Sequence, residues 1–386
     1  MAGDNQDEGV RDEAQRLLVR LRPREEWARD SEGDTQVDVR FVTGVSEGGG
    51  PGVRVRGQGQ GWVIMSRDPE RVSVSPPKRC GTIHVVDDRT DDVDWSGLFH
   101  ASGAAADTPR HLAALLGDDA WASVHGYSHL WSATLRHEGK AWPATAPTAM
   151  LVAKLLDNPL LGLDDPSLPD AMLAYLYEVG AAADLGDGAE EVRARVKDSV
   201  PELRAWTVEY VSADADGRAR MWQDGTGLGE LVLDQAALAC FDVVPVLLRR
   251  TLPYLASERA RRRTCAAAAV GSLARHPAAS AQRSELLQQL TSMARAAGSS
   301  YDQATILIAI GDLGGDTRPW LTDPHAGVRA CAALAPDLAG DDIAEQVLME
   351  LERSPQAFGK SFGDMAPPLQ LQSKSFQDLL AGRRAS

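Results

Sequence analysis

The sequence predicts a mainly α protein, an α-solenoid of helical hairpins preceded by a small antiparallel β segment. Three observations carry that prediction. Alanine and leucine dominate the second half of the 386 residues, and β-branched residues are sparse there, a bias that favours helices. Apolar stripes at helical spacing recur along the same half. One pattern of polar, small and leucine positions occurs more than once, as stacked units need when none of them can bury its apolar face alone.

Residues 1–36 are polar and charged, with one short helix around Leu17–Leu21 and an otherwise flexible chain expected. Residues 37–90 read as the β segment. Short β-prone runs lie at Val37–Thr43, Val53–Val55, Trp62–Met65, Val72–Val74 and Ile83–Val86. Gly and Pro clusters such as Gly48-Gly49-Gly50-Pro51-Gly52 separate them, the pattern of a meander. The Gly57, Gly59, Gly61 triplet is no dinucleotide fingerprint, because strand-like Trp62-Val63-Ile64-Met65 follows it where a helix is required.

Residues 91–386 read as helical. Leu286, Leu287, Leu290 and Met293 share one helix face, as do Ile306, Ala309, Ile310 and Leu313, and Ile343, Val347, Leu348 and Leu351. Gly117, Gly298, Gly314-Gly315, Gly340, Pro159, Pro245 and Pro277 are expected to punctuate the helices. Between Asp323 and Leu334, an aspartate is followed by Val328-Arg329, then by small residues and a leucine. Asp119, Val124, His125, Ser128 and Leu130 match at the same offsets, and Ser257, Arg263, Cys265, Ala266 and Ala267 form a looser copy. In this pattern the aspartate caps a helix, the small residues admit a neighbouring helix, and the leucine fills the space between hairpins.

That pattern resembles the HEAT repeat, in the short HEAT-like form of phycobilisome lyases. A more specific likeness covers residues 95–160. It comprises Trp95, His100-Ala101, Gly103, Asp107, Pro109, Leu112, Leu115 and Asp118-Asp119, then Leu135, His137, Gly139 and Ala144-Thr145-Ala146-Pro147. This order is similar to a group of bacterial HEAT-like proteins common in actinobacteria. The group carries His-Gln-Gly-Thr where this chain has His137-Glu138-Gly139-Lys140. The resemblance implies a HEAT-like helical fold over 95–386 and no particular activity.

The net charge of −15 disfavours generic nucleic-acid binding and favours partners with basic patches. Cys80, Cys240, Cys265 and Cys331 form no C-x-x-C pair, so buried free thiols in a reducing cytoplasm are expected rather than disulfides or a cysteine zinc site. The acidic stretch Met1–Glu13 is no signal peptide, and Asp234, Gln235 and Asp242 interrupt the richest apolar stretch, so no membrane span is expected.

Five of the eight histidines lie between His100 and His137. His125 and His129 have the i, i+4 spacing of metal ligands, with His137 as a third candidate, but no glutamate lies between them and a solvated helix face is the reading taken. Ser212, Asp214, Asp216, Gly217 and Gln223 fall on calcium-loop positions but lack the final glutamate, so an Asp-Gly turn is expected. Asp87, Asp88, Asp91, Asp92 and Asp94 read as a solvated helix start. Arg249, Arg250, Arg259, Arg261, Arg262 and Arg263 form the one basic concentration; a basic groove of this kind serves HEAT-like DNA glycosylases, but internal ion pairing or a local anion site is the reading taken here. No catalytic triad order or P-loop appears, so neither enzyme activity nor a cofactor is assigned.

The function expected is a non-enzymatic, cytoplasmic scaffold that binds a protein or peptide partner. The alternatives are an immunity or antitoxin protein that neutralises a basic toxin, and a HEAT-like glycosylase. The docking surface is placed at Trp131, His137, Glu138 and Trp142, where tryptophans, with Trp121 close by, flank a charged turn between the helices expected at Ala122–Leu135 and Pro147–Leu156.

Overall fold

The computed structural model describes residues 53–56, 62–65, 93–117, 119–136, 140–163 and 165–353. The chain divides into two units, Arg22–His84 and the remainder, Met1–Leu21 with Val85–Ser386. In the smaller unit, β1 (Val53–Arg56) pairs antiparallel with β2 (Trp62–Met65), Val53 opposite Met65 and Arg56 opposite Trp62. A strand therefore follows the Gly57, Gly59, Gly61 triplet, as expected of a hairpin. The other β-prone runs, at 37–43, 72–74 and 83–86, lie outside the described residues, as does the segment 1–36.

The larger unit is mainly helical. Among the described residues it holds α1 (Thr108–Ala113), α2 (Ala120–Ser132), α3 (Thr145–Leu156), α4 (Leu168–Ala182), α5 (Ala189–Asp198), α6 (Val200–Ser212) and α7 (Ala215–Gln223). After these come α8 (Leu228–Thr251), α9 (Ala260–Leu273), α10 (Arg283–Arg295), α11 (Ser300–Asp312), α12 (Ala326–Ala333) and α13 (Asp342–Glu352). Two small antiparallel pairs interrupt the helical region, where helices alone were expected. They are β3 (Phe99–His100) with β4 (Gly103–Ala104), and β5 (Leu135–Arg136) with β6 (Lys140–Ala141). Two residues per strand leave no periodicity for a sequence reading to detect.

Helix α8 is the main packing element, lying against α3, α4, α5, α6 and α9. Val232, Leu233, Ala236, Leu238, Cys240, Val244, Leu247 and Leu248 are its buried apolar side chains. Pro245, expected to break a helix, sits inside it. An interior proline costs about 3 kcal/mol, and burial of Val244, Leu247 and Leu248 around it holds the helix through that defect. By length and composition, Leu228–Ala256 could cross a membrane. Within the fold its apolar side packs on five neighbours, and its acidic residues Asp234 and Asp242 pair with Arg195 and Arg193 of α5, each at 2.8 Å.

From α4 onward, helices meet through glycines. A Cβ on Gly180 would lie 2.6 Å from Ser272 Oγ, one on Gly271 2.5 Å from Ala309 Cβ, and one on Gly311 2.9 Å from Ala335 Cβ. The contacts run in series, α4 to α9, α9 to α11, and α11 to Ala335 just after α12. The looser sequence copy proves close in structure. Arg263 donates to the carbonyls of Ser257 and Glu258 at 2.8 and 2.9 Å, and Arg329 donates to those of Asp323 and Pro324 at 2.7 and 3.2 Å. Cys265, Ala266 and Ala267 are buried in α9, as Cys331, Ala332 and Ala333 are in α12. In each copy the arginine ties the entering loop to its own helix while the small residues meet the neighbour.

Three expectations change. Asp323 does not cap α12; its carboxylate accepts from the His325 N–H, just before the helix. Leu334 is half-buried rather than core, because α12 ends one residue earlier and only partly turns it inward. Ile343 is 53% exposed, whereas Val347, Leu348 and Leu351 carry the buried face of α13.

Candidate functional site

The structure gathers three histidines and one aspartate that the sequence scatters over thirty residues. Strand β3 starts the site. Phe99 is fully buried in an aromatic core of Trp142, Trp206 and Tyr210, with ring centroids 5.8, 6.1 and 4.3 Å away. Successive strand residues face opposite sides, so seating Phe99 sends His100 the other way, where it is 1% exposed. Gly103 pairs with His100 at φ +121°, a conformation that favours glycine, and closes the two-residue turn Ala101–Ser102.

Asp107 ends the 3-10 turn Ala105–Asp107 and precedes α1, yet it makes no capping bond to that helix. Its Oδ1 lies 3.0 Å from His100 Nε2, and its Oδ2 lies 3.6 Å from His111 Nε2, one helical turn on. The Ser102 N–H donates to His100 Nδ1 at 3.1 Å. Nδ1 is thus the acceptor nitrogen, and neutral His100 donates its Nε2–H to Asp107. Both ring nitrogens are engaged, so this pair is not arranged as a general base.

His129 enters from α2. Its ring stacks on His111 with centroids 4.2 Å apart and meets His100 edge-on at 4.9 Å. Buried Thr108 Oγ1 lies 2.9 Å from His129 Nε2. Gly126 sets the spacing of the two helices: a Cβ there would lie 2.3 Å from the carbonyl oxygen of His111. His100, Asp107 and His129 each offer one donor atom, all within 4.8 Å of one another.

Burial, reinforced by the neighbouring His100 and His111, pushes the His129 imidazole down to about 3. Burial also lowers His111, partly offset by Asp107. For Asp107, burial alone would raise the carboxyl, but the hydrogen bond from His100 and the surrounding imidazoles hold it below its usual value. A histidine whose folded value lies below its unfolded one is protonated preferentially in the unfolded chain. Stability contributed by neutral His129 is therefore complete above about 6.5 and falls as pH drops from there towards 3. With a chelator present, urea denaturation at pH 5 should show a loss of about 2 kcal/mol relative to pH 7 from this group. His129→Gln should flatten that slope, and an identical slope in the variant would show that the histidine is protonated freely in the fold.

His125, one turn from His129, is exposed and is not among the three clustered donors, so the i, i+4 pair expected from spacing is replaced by partners from other elements. His137 and Glu138 lie outside the described residues. Trp142 does not stand on an exposed turn. It is only 9% exposed and packs edge-on against Phe99 and Trp222, at 5.8 and 6.1 Å. Trp131 is half-buried, edge-on to Tyr175 at 5.9 Å. The calcium-loop candidate is the first turns of α7, where Asp214 Oδ1 accepts from the Gly217 N–H at 2.7 Å, rather than an Asp-Gly turn. Of the acidic run, Asp94 is described; its carboxylate accepts from the Ser96 N–H at 3.2 Å and caps a 3-10 turn. Cys240, Cys265 and Cys331 are free and buried, and burial pushes the Cys240 and Cys265 thiols up to about 12.

The basic concentration is largely spent within the chain. Arg250 pairs with Asp157, and Arg262 bonds Asp170 and the Pro166 carbonyl, both at 3.0 Å. Arg263 holds its own loop, and Arg261 lies over the Tyr301 ring at 5.2 Å. Comparison with family models, curated proteins and solved structures finds no match for the chain.

Proposed function

We propose that the chain is a non-catalytic adaptor: a HEAT-like α-solenoid whose surface binds a protein or peptide partner bearing basic patches. The observation that carries this reading is the serial glycine contact from α4 through α9 and α11 to Ala335 after α12, with the same arginine-to-loop bonds at both Arg263 and Arg329. Helices stacked in this way leave their connecting loops aligned along edges, where one partner reaches several at once. The charge of −15 supports a basic partner through electrostatic complementarity. Internal pairing of Arg250, Arg262 and Arg263 speaks against the glycosylase alternative. Three buried free thiols suit a reducing cytoplasm.

Trp131, His137 and Glu138 remain the proposed docking residues; Trp142 leaves that set because it is buried. Proteins recovered with the chain from its native host should be purified and titrated against it at low and moderate salt. The expected result is saturable binding that weakens with salt, and weakens at least tenfold with Glu138→Lys, while the melting curve is unchanged. If no recovered protein binds the purified chain saturably, the adaptor reading fails. Saturable binding insensitive to Glu138→Lys moves the docking surface elsewhere.

A further inference from the structure

We propose that His100, Asp107 and His129 form a binding site for a divalent transition-metal ion of the zinc type. The donor set is two imidazoles and one carboxylate, which suits zinc-like ions and leaves a fourth position for water or a partner's side chain. The donors come from three elements, β3, the turn before α1, and α2, and each is fixed independently. Phe99 anchors β3 in the aromatic core, Gly126 sets α2 against the His111 backbone, and Thr108 holds the His129 ring at Nε2. The three donor atoms lie within 4.8 Å of one another, and His100 Nε2 already lies 3.0 Å from Asp107 Oδ1. A tetrahedral ion with bonds of about 2.1 Å holds its ligands roughly 3.4 Å apart, so small side-chain rotations complete the site.

His111 plays a different part. Its ring is nearly parallel to that of His129, at 15°, so the two lone pairs do not converge on one point. Its Nε2 instead faces the second oxygen of Asp107 at 3.6 Å, where it can orient that carboxylate.

Binding has one defined cost. Coordination through His100 Nε2 displaces the proton now donated to Asp107, and in a neutral ring that proton moves to Nδ1. Nδ1–H would then meet the Ser102 N–H, which donates to Nδ1 at 3.1 Å. The metal-bound state therefore requires the exposed Ala101–Ser102 turn to reorient, and the Ser102 amide becomes a reporter of occupancy.

The test uses the full chain, stripped with a chelator and titrated with zinc by calorimetry and with cobalt(II) by visible absorption. One equivalent should bind, the cobalt complex should show tetrahedral absorption, and the Ser102 amide resonance should shift in step with occupancy. Asp107→Asn and His129→Gln should each weaken zinc binding at least tenfold, while His125→Gln, on the exposed face of the same helix, should leave it unchanged. Wild-type chain that takes up no stoichiometric zinc overturns the proposal. So does binding that leaves the Ser102 amide unmoved, an observation that needs no variant to fold. Affinity lost in His125→Gln and kept in His129→Gln would place the ion on the helix surface and also overturn it.

Discussion

Trp142→Ala should destabilise the chain by about 3–5 kcal/mol, the usual cost of truncating a buried aromatic to alanine. The side chain is 9% exposed and bridges Phe99 to Trp222, with Trp206 and Tyr210 packed behind them. Its loss opens a cavity in a core that joins β3, α5, α6, α7 and α8. The effect should reach the histidine cluster, because Phe99 and His100 are adjacent and face opposite sides of one two-residue strand. Thermal melting should show a fall in Tm of roughly 10 °C. An unchanged Tm would mean that Trp142 stands in solvent and that the aromatic core is not formed in solution.

Gly271→Ala should destabilise by about 2 kcal/mol, although alanine is the better helix former by roughly 1 kcal/mol. The added Cβ would lie 2.5 Å from Ala309 Cβ and 2.8 Å from Ala309 Cα. Those atoms belong to the partner helix's main chain and first carbon, so no rotamer change relieves the overlap. Helices α9 and α11 must separate, which also loosens fully buried Ala267, Val270, Leu307 and Ile310. Urea denaturation decides the sign. A raised midpoint would show that intrinsic propensity wins and that the two helices are not in contact at Gly271.

Helix positions were readable because their signals are local. The stripes through Leu286–Met293 and Ile306–Leu313 became α10 and α11, and the expected helices at 122–135 and 147–156 became α2 and α3. The copies at Arg263 and Arg329 were readable too, since the same residues recur in the same order and make the same bonds to the preceding carbonyls. Pro245 misled for the complementary reason. Propensity records the local cost of a helical proline, whereas α8 is held by burial against five neighbours.

The candidate site lies at the other extreme. His125 and His129 look paired because four residues make one helical turn, yet His129 meets His100, Asp107 and His111 instead. Asp107 and His111, also one helical turn apart, were not read as a pair. Nothing local announces that a two-residue strand turns His100 onto that pair, or that Gly126 lets α2 close upon α1. Trp142 could likewise not be sorted by type, because tryptophan serves cores and docking surfaces equally well. Periodicity along the chain sets which residues turn inward on each helix, since each helix repeats one geometry. Convergence of His100, Asp107 and His129, and burial of Trp142, follow from contacts between segments tens of residues apart, which only packing of those segments in three dimensions creates.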